Sequence, residues 1–210
     1  MTTVDGRLAR GARTRAAVLD RAVAMATEVG LDGLSLAQLA DALAVSKSGL
    51  FAHWRSKEEL QLATIDRARE LCTEQIVAPA LAHPRGVRRL WALHEARLAF
   101  YADAVLPGGC FFASAEFEYS ARPGPVRDRL VAVFREWLGL IERLAEEAVR
   151  AGELLPDVDV RQLAYEIEGA GLAAVMQSRL LGPDAYPYAR RAVLHRLRGV
   201  CTDPALLPEA

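Results

Sequence analysis

The side chains best suited to chemistry form a short run of cations, hydroxyl groups and one imidazole. They are Ser46, Lys47, Ser48, His53 and Lys57. Lysine and serine donors placed this closely are suited to binding phosphate groups and the edges of bases, which both present hydrogen-bond acceptors. Catalysis fits less well, because the four histidines are not spaced as metal ligands and the sequence has no Gly-rich phosphate loop or nucleophile elbow.

The elements that must position these side chains form a predicted helix-turn-helix. Two capping boxes, each a serine followed three residues later by Gln or Glu, mark the starts of two helices: Ser35–Gln38 and Ser56–Glu59. Apolar residues at helical spacing predict a helix with one buried face over Leu36–Leu43. A turn at Ala44 and Val45 then leads into a short polar helix. Held by its apolar face against a preceding helix, such a helix has the geometry that enters a DNA major groove.

These residues resemble the DNA-binding end of the tetracycline-repressor (TetR) family of transcriptional regulators. The match is V-S-K-S-G-L-F-A-H-W-R-S-K-E-E-L over Val45–Leu60, preceded by an amphipathic helix over Thr14–Val29 and the sequence G-L-D-G-L-S. The resemblance implies an all-α fold, in which a three-helix helix-turn-helix domain is joined to a larger helical ligand-binding and dimerisation domain. The domains expected are residues 11–71 for DNA binding and 72–210 for effector binding and dimerisation.

The resemblance also implies which residues bind DNA: Ser35, Gln38, Ser46, Lys47, Ser48, Gly49, Phe51, His53 and Lys57. Lys47 is the long donor among the expected base-reading residues and could reach guanine O6 or N7. The sequence departs from the family pattern at Phe51, often Tyr, and at Gly49, often Thr. Ala44 is a third departure, in a turn where Gly is frequent. Packing against Trp54 is the alternative role for Phe51 and His53.

Composition limits the remaining classes of protein. The 210 residues are 52% hydrophobic, yet no apolar run is long enough to cross a membrane and the N-terminus lacks the apolar core of a signal peptide. We therefore expect a cytoplasmic protein. Basic residues outnumber acidic ones over residues 1–57, while the remainder is net negative, which favours a polyanion-binding N-terminal lobe. Cys72, Cys110 and Cys201 are too scattered for a metal site; reduced thiols are the expectation and redox sensing the alternative.

The resemblance places an effector pocket in the larger lobe. Helical spacing predicts inward-facing candidates for it: Trp91, His94, Tyr101, Phe112, Glu116, Trp137 and Met176. An aromatic stripe of this kind is equally expected of a packed core. Glu116 lies in an otherwise apolar helix, which suggests that it pairs with a cation. A small, largely apolar or aromatic effector is the expectation, and no cofactor, metal site or catalytic residue is predicted.

The eighth predicted helix indicates a partner chain. Over Ile167–Met176 the sequence I-E-G-A-G-L-A-A-V-M is apolar on almost every side, and a helix that is apolar all round is buried all round. Its Gly and Ala residues would let a second helix approach closely. The resemblance implies a homodimer through helices eight and nine, the last two of the chain, expected near residues 159–181 and 188–200; a monomer with a small-residue central helix is the alternative.

Together these features predict a ligand-responsive transcriptional regulator with no enzymatic activity. It would act most readily as a repressor, binding a palindromic operator as a homodimer and leaving it when the effector binds. An activator of the same fold is the first alternative. A non-DNA-binding all-α adaptor or enzyme is the second, against which the retained Lys47 and Lys57 argue.

Overall fold

The computed structural model describes residues 3–51 and 53–209, with the side chains of residues 3–14, Lys47 and Phe51 outside that description. The described chain is helical, and no β-strand occurs in it beyond one isolated bridge between Leu154 and Cys201. The helices are α1 Thr3–Val29, α2 Leu36–Leu43, α3 Lys47–Phe51, α4 Lys57–Cys72, α5 Ala78–Leu81, α6 Val87–Ala102, α7 Phe111–Tyr119, α8 Pro125–Arg150, α9 Val160–Leu181 and α10 Ala185–Val200. The predicted all-α fold is confirmed.

Two compact units make up the chain. The first comprises Met1–Glu70 with Leu106–Leu130, and the second comprises Leu71–Val105 with Val131–Ala210. The segment around α7 therefore belongs to the unit that holds the helix-turn-helix. Two helices, α4 and α8, begin in the first unit and end in the second. The predicted functional boundary between residues 71 and 72 stays a prediction, because these units are defined by packing alone.

Helix ends in the first unit follow local sequence signals. Gly30 adopts a left-handed φ of 83° directly after α1, a conformation that costs glycine little and other residues more. Helix α1 buries Val18, Ala22, Val23 and Ala26. It begins at Thr3, whereas the sequence predicted a helix from Thr14; the Arg- and Ala-rich sequence between these residues lacks proline and favours helix.

The second unit is held together by α6, α9 and α10. Leu98, Ala174 and Ala189 form a buried apolar cluster, against which Tyr186 packs. Before this bundle, α4 continues through a π-helical turn at Thr73–Val77 into α5. No helix of the described residues is long and apolar enough to cross a membrane.

Candidate nucleic-acid interface and effector site

Side-chain caps fix the helices that flank the turn. Ser35 Oγ accepts from the backbone N–H of Gln38 at 3.1 Å, and Ser46 Oγ accepts from that of Gly49 at 3.2 Å. Ser56 Oγ likewise accepts from Glu59 N at 3.1 Å, while the Glu59 carboxylate accepts from the backbone N–H of Arg55 at 2.8 Å. The predicted caps Ser35 and Ser56 thus act as caps of α2 and α4, and Ser46 caps α3 in the same way.

The turn between α2 and α3 has a Schellman geometry without its usual glycine. Ala44 lies in the left-handed region at φ 53°, and the backbone N–H of Val45 donates to Ala40 O at 3.0 Å. A Cβ atom is disfavoured in this conformation. The departure noted at Ala44 in the sequence is therefore a position of local backbone strain, adjoining the predicted recognition helix.

The surface of the helix-turn-helix carries several of the predicted DNA contacts. Gln38, Ser46, Ser48, Gly49 and His53 are exposed. The buried Leu50 and Trp54 face the opposite way and hold α3 against the unit's core. The His53 ring lies 5.6 Å from that of Trp54, so its side chain is both exposed and in contact with the core aromatic.

Three other predicted DNA contacts are half-buried or have side chains outside the described residues. Ser35 is half-buried at the start of α2. The side chains of Lys47 and Phe51 lie outside the described residues, so their predicted roles as base reader and backbone contact stay predictions.

Lys57 is paired with a partner that sequence reasoning did not identify. Its Nζ lies 2.9 Å from Asp32 Oδ1, while Arg122 Nη1 lies 3.1 Å from Asp32 Oδ2. Hydrogen bonds from Lys57 and then Arg122 hold the pKa of Asp32 below its ordinary value, so the carboxylate is ionised at neutral pH. One carboxylate thus pairs with two cations at the start of α4.

The loop that carries Asp32 is bound to the C-terminal end of α7. The Glu118 carboxylate accepts from the backbone N–H groups of Leu31 at 2.7 Å and Asp32 at 3.0 Å. Gln61 donates to Leu31 O at 3.1 Å and to the Tyr119 hydroxyl at 2.8 Å. A segment of the predicted effector domain therefore fixes the turn before α2.

A buried ion pair occupies the second unit. Arg97 on α6 donates from Nη1 and Nη2 to the two oxygens of Glu168 on α9, at 2.7 and 3.0 Å. Arg97 Nε donates to the Tyr101 hydroxyl at 3.0 Å, and the indole N–H of Trp137 donates to Glu168 Oε2 at 2.6 Å. Burial disfavours the charge on Arg97, but Tyr101 and Glu168 outweigh it and raise the pKa of the guanidinium. Three helices are joined by this network.

Gly171 makes room for the arginine. A Cβ atom built on Gly171 would lie 2.2 Å from Arg97 Nη1 and 2.5 Å from Cζ. The guanidinium also faces the rings of Trp137 and Tyr101, at 5.3 and 5.7 Å from their centroids. Because Gly171 on α9 has no side chain, the guanidinium of Arg97 on α6 fits against the backbone there.

His94 is buried beside this network with one ring nitrogen unsatisfied. Its Nε2 lies 3.3 Å from Ala189 O, which can only accept, so Nε2 carries the proton and Nδ1 is an acceptor. Nδ1 is buried and has no hydrogen-bond partner among the described residues. Burial, with the charges of Arg97 and Arg190, lowers the pKa of His94 to about 4, so the imidazole is neutral at pH 7.

The predicted effector residues divide between the two units. Trp91, His94, Tyr101 and Trp137 lie in the second unit, where Tyr101 and Trp137 contact the Arg97–Glu168 pair. The Trp91 and His94 rings are 6.0 Å apart.

The other three candidates lie either in the first unit or at an exposed position of α9. Phe112 and Glu116 on α7 belong to the first unit, and both are half-buried. Met176 is exposed on α9. The assignment of all seven residues to an effector pocket stays a prediction.

Sequence reasoning missed Arg97 and Glu168, the two residues at the centre of the second unit's network. Each interrupts an apolar helical stripe: Arg97 stands beside Leu98, and Glu168 stands beside Ile167. A charge on a face that is otherwise buried is the signal that could have found them. Among the described residues, no group of three or more His, Cys, Asp and Glu side chains could hold a metal ion.

A capped helix-turn-helix with an exposed polar helix α3, joined to a larger helical unit, defines a DNA-binding protein. Comparison with known protein families supports this class of protein. Residues 18–64 match the family described as "Bacterial regulatory proteins, tetR family", and residues 86–193 match "Tetracyclin repressor-like, C-terminal domain". The chain therefore belongs to the TetR family of DNA-binding, ligand-responsive transcriptional regulators.

Individual relatives resemble most of the chain. The HTH-type transcriptional repressor ComR of Escherichia coli (strain K12) is 25% identical over 176 residues, which is 78% of this chain and 84% of that protein. A TetR transcriptional regulator from Chloroflexus aurantiacus has a structure with a TM-score of 0.84 at 28% identity, covering 91% of this chain and 98% of that one. AibR, solved with isovaleryl coenzyme A and operator DNA, shares the fold at 21% identity with a TM-score of 0.67, covering 89% and 97%.

Proposed function

We propose that the protein is a repressor that binds a palindromic operator as a homodimer, with α3 of each subunit in the major groove. The observation that carries this proposal is the exposed polar surface of α3, with Ser46, Ser48 and Gly49 outward and Leu50 buried. Lys57, 49% exposed at its side chain, is the first residue of α4, so its cation lies at a helix N-terminus, which favours a phosphate. ComR, a relative over 78% of the chain, is named a repressor.

Two lysine variants test the division of roles. Lys47→Ala should lose discrimination at one base pair of the operator, by about 1–3 kcal/mol, because a base contact is removed. Lys57→Ala should weaken binding to all sequences alike and reduce the salt dependence. Titrations of operator and scrambled duplexes at several KCl concentrations measure both effects. Equal losses for Lys47→Ala on the two duplexes would show that Lys47 is not the base reader.

The dimer interface is proposed on the outward face of α9, with α10 beside it. Residues four, four, three and four apart form one exposed apolar stripe along this helix: Tyr165, Gly169, Ala173, Met176 and Leu180. Tyr165 is 72% exposed and Leu180 81%, and on α10 Tyr188 is also exposed. A continuous apolar stripe of this kind marks an interface in soluble proteins. Its occupant is a second copy of the chain, packed α9 and α10 against α9 and α10.

The small residues of α9 do not all face this stripe. Gly171 and Ala174 are buried within their own unit, whereas Gly169 and Ala173 are exposed. Leu180→Glu should therefore give monomers without unfolding, since it places a charge on the interface alone. Val105→Glu, on an equally apolar but separate exposed position, is the matched control and should stay dimeric. Sedimentation of both variants decides; a dimer in Leu180→Glu places the interface elsewhere.

The effector is proposed to bind in the second unit, near Trp91, His94, Tyr101 and Trp137. His94 Nδ1 is a buried acceptor without a protein partner, which a ligand hydroxyl or amide N–H could satisfy. The surrounding aromatic rings favour a small, largely apolar or aromatic molecule that carries one such donor. Because α4 and α8 each run from one unit into the other, a ligand that favours one arrangement of these helices could change operator affinity; couplings of about 1–3 kcal/mol are usual.

Tryptophan fluorescence can test this site once Trp54 is removed from the signal. The chain has three tryptophans, and Trp54 lies in the DNA-binding unit. A Trp54→Phe background therefore reports on Trp91 and Trp137 alone. A panel of aromatic alcohols and their methyl ethers should change emission and release operator, with the alcohols binding more tightly. His94→Phe should remove the preference for the alcohol; an unchanged preference would exclude His94 as the acceptor.

A repressor and an activator of this fold differ in where the operator lies relative to the promoter. A reporter gene whose promoter overlaps the operator should be silenced by the protein and restored by effector. Stimulated expression would support the activator. An adaptor or enzyme that kept only the fold would show no salt-dependent affinity for any duplex.

A further inference from the structure

We infer that Arg122, which lies outside the helix-turn-helix, is an additional contact to the DNA phosphate backbone and acts as a pair with Lys57. The inference rests on the proposed role of Lys57 as a phosphate contact. Arg122 follows α7, in the sequence region expected to serve the effector, yet it packs in the DNA-binding unit. No motif of the helix-turn-helix contains it.

A shared carboxylate brings the two cations together. Lys57 Nζ binds Asp32 Oδ1 at 2.9 Å, and Arg122 Nη1 binds Asp32 Oδ2 at 3.1 Å. The two donors are thus separated by no more than one carboxylate and its two hydrogen bonds. Asp32 and the Glu118 carboxylate, which binds the backbone of Asp32, offset much of the positive charge of the two cations, so the attraction to phosphate rests on their exposed donors. DNA presents one phosphate charge per about 1.7 Å of helix axis, so neighbouring phosphates are available to both cations.

The position of Arg122 is fixed by its surroundings. Its guanidinium lies 5.4 Å from the centroid of the Tyr119 ring, and its backbone N–H donates to Tyr119 O at 3.1 Å. Tyr119 is buried and bound by Gln61, one turn beyond Lys57 on α4. Glu118 holds the backbone of Asp32 at 3.0 Å. The arginine is therefore held in register with the start of α4, and ordering it on DNA requires little further loss of freedom.

Arg122 nevertheless keeps donors for a phosphate. Its side chain is 52% exposed, and a guanidinium has five N–H donors, of which Asp32 takes one at hydrogen-bond distance. Arginine forms bidentate hydrogen bonds with phosphate oxygens, which lysine cannot. We therefore expect Lys57 to supply a point charge and Arg122 to supply the more directional contact beside it.

The experiment measures sequence-independent binding, so it needs no knowledge of the operator. A fluorescein-labelled random-sequence duplex is titrated with the full chain at several KCl concentrations. For Arg122→Gln, the slope of log affinity against log salt should fall in magnitude by about 0.9, the value for one lost phosphate contact, with several-fold weaker binding at low salt. Arg122→Lys should retain the slope. Arg150→Gln, an exposed arginine of the second unit paired with Glu146, is the matched control for overall charge and should match the wild type.

The outcomes separate this inference from the function on which it rests. A slope for Arg122→Gln equal to that of Arg150→Gln, with the wild type binding normally, overturns the inference alone. A wild type without salt-dependent affinity overturns the DNA-binding role and the inference together. A loss with Arg122→Gln but none with Lys57→Gln refutes the assignment of Lys57 and with it the paired contact that we infer. Thermal unfolding by circular dichroism verifies that each variant is folded.

Discussion

The carboxylate of Glu168 receives two hydrogen bonds from the guanidinium of Arg97, at 2.7 and 3.0 Å, inside the second unit of the protein. The side chains are only 6% and 12% exposed for Arg97 and Glu168. Both charges are therefore largely excluded from water, and each is neutralised by the other. Tyr101 accepts a further hydrogen bond from Arg97, and Trp137 donates one to Glu168. The pair joins α6 to α9, so a substitution of either partner should destabilise this unit.

Glu168→Gln should destabilise the protein by about 3–5 kcal/mol, because it leaves the Arg97 charge buried without a counter-ion. Chemical unfolding at fixed protein concentration measures the loss. Glu146→Gln is the matched control: Glu146 pairs with Arg150 at 3.5 Å on an exposed face, so its effect should stay within about 1 kcal/mol. Similar effects of the two variants would mean that the Arg97–Glu168 pair is exposed to water in solution.

Gly171→Ala tests the fit between α9 and the same arginine. The new Cβ would lie 2.2 Å from Arg97 Nη1, and the buried guanidinium has little room to move. A loss of about 1–3 kcal/mol is expected from overpacking. Gly139→Ala, inside α8 and away from the proposed dimer interface, brings its new Cβ near only the end of the exposed Arg143 side chain, at 3.2 Å, and should instead gain about 0.5–1 kcal/mol from helix propensity. Opposite signs in thermal unfolding support the packing; a gain from both variants contradicts it.

Much of the fold was predictable because its signals are local. Serine caps at Ser35, Ser46 and Ser56 act within three residues, and Pro125 begins α8 where its fixed φ suits the first turn. The start of α1 was predicted too late, at Thr14, because the prediction followed the amphipathic pattern alone. The helix propensity of its Arg- and Ala-rich sequence decided the structure instead.

The networks at the candidate sites were not predictable in the same way. Arg97 and Glu168 are 71 positions apart, and Glu118 is 87 positions from the backbone N–H of Leu31 that it binds. Helical period shows that such a side chain faces inward, but it does not identify the partner. The same limit applied to Asp32, whose pairing with Lys57 and Arg122 depends on how α7 packs in the first unit.

His94 should make the stability of the folded protein depend on pH. Its pKa is about 4 in the folded chain and about 6.5 when unfolded, so the unfolded chain binds more protons between these values. Stability is therefore fully present above about pH 6.5 and falls as the pH drops towards 4, by up to about 3 kcal/mol.

Variants at two histidines isolate this effect from the titration of carboxylates. Urea unfolding of the wild type and His94→Gln at pH 7.5, 5.5 and 4.5 should show a smaller acid loss in the variant. The exposed His195→Gln serves as the control and should follow the wild type at each pH. If His94→Gln and His195→Gln behave alike, His94 is protonated in the folded protein and its burial is not maintained.

Ala44→Gly should stabilise the turn before the recognition helix. Ala44 has a φ of 53°, a conformation in which its Cβ crowds the following carbonyl. Removing the Cβ relieves a steric strain of about 1–2 kcal/mol. The greater conformational freedom of glycine in the unfolded chain offsets part of this gain. A net gain of about 0.5–1 kcal/mol is expected. Ala42→Gly, two residues earlier and inside α2, should lose about 1 kcal/mol, because glycine there only weakens the helix. Thermal unfolding distinguishes the two substitutions by sign. A loss from Ala44→Gly as large as that from Ala42→Gly would show that residue 44 leaves the left-handed conformation in solution, and the direction of α3 would then depend on the Ser46 cap alone.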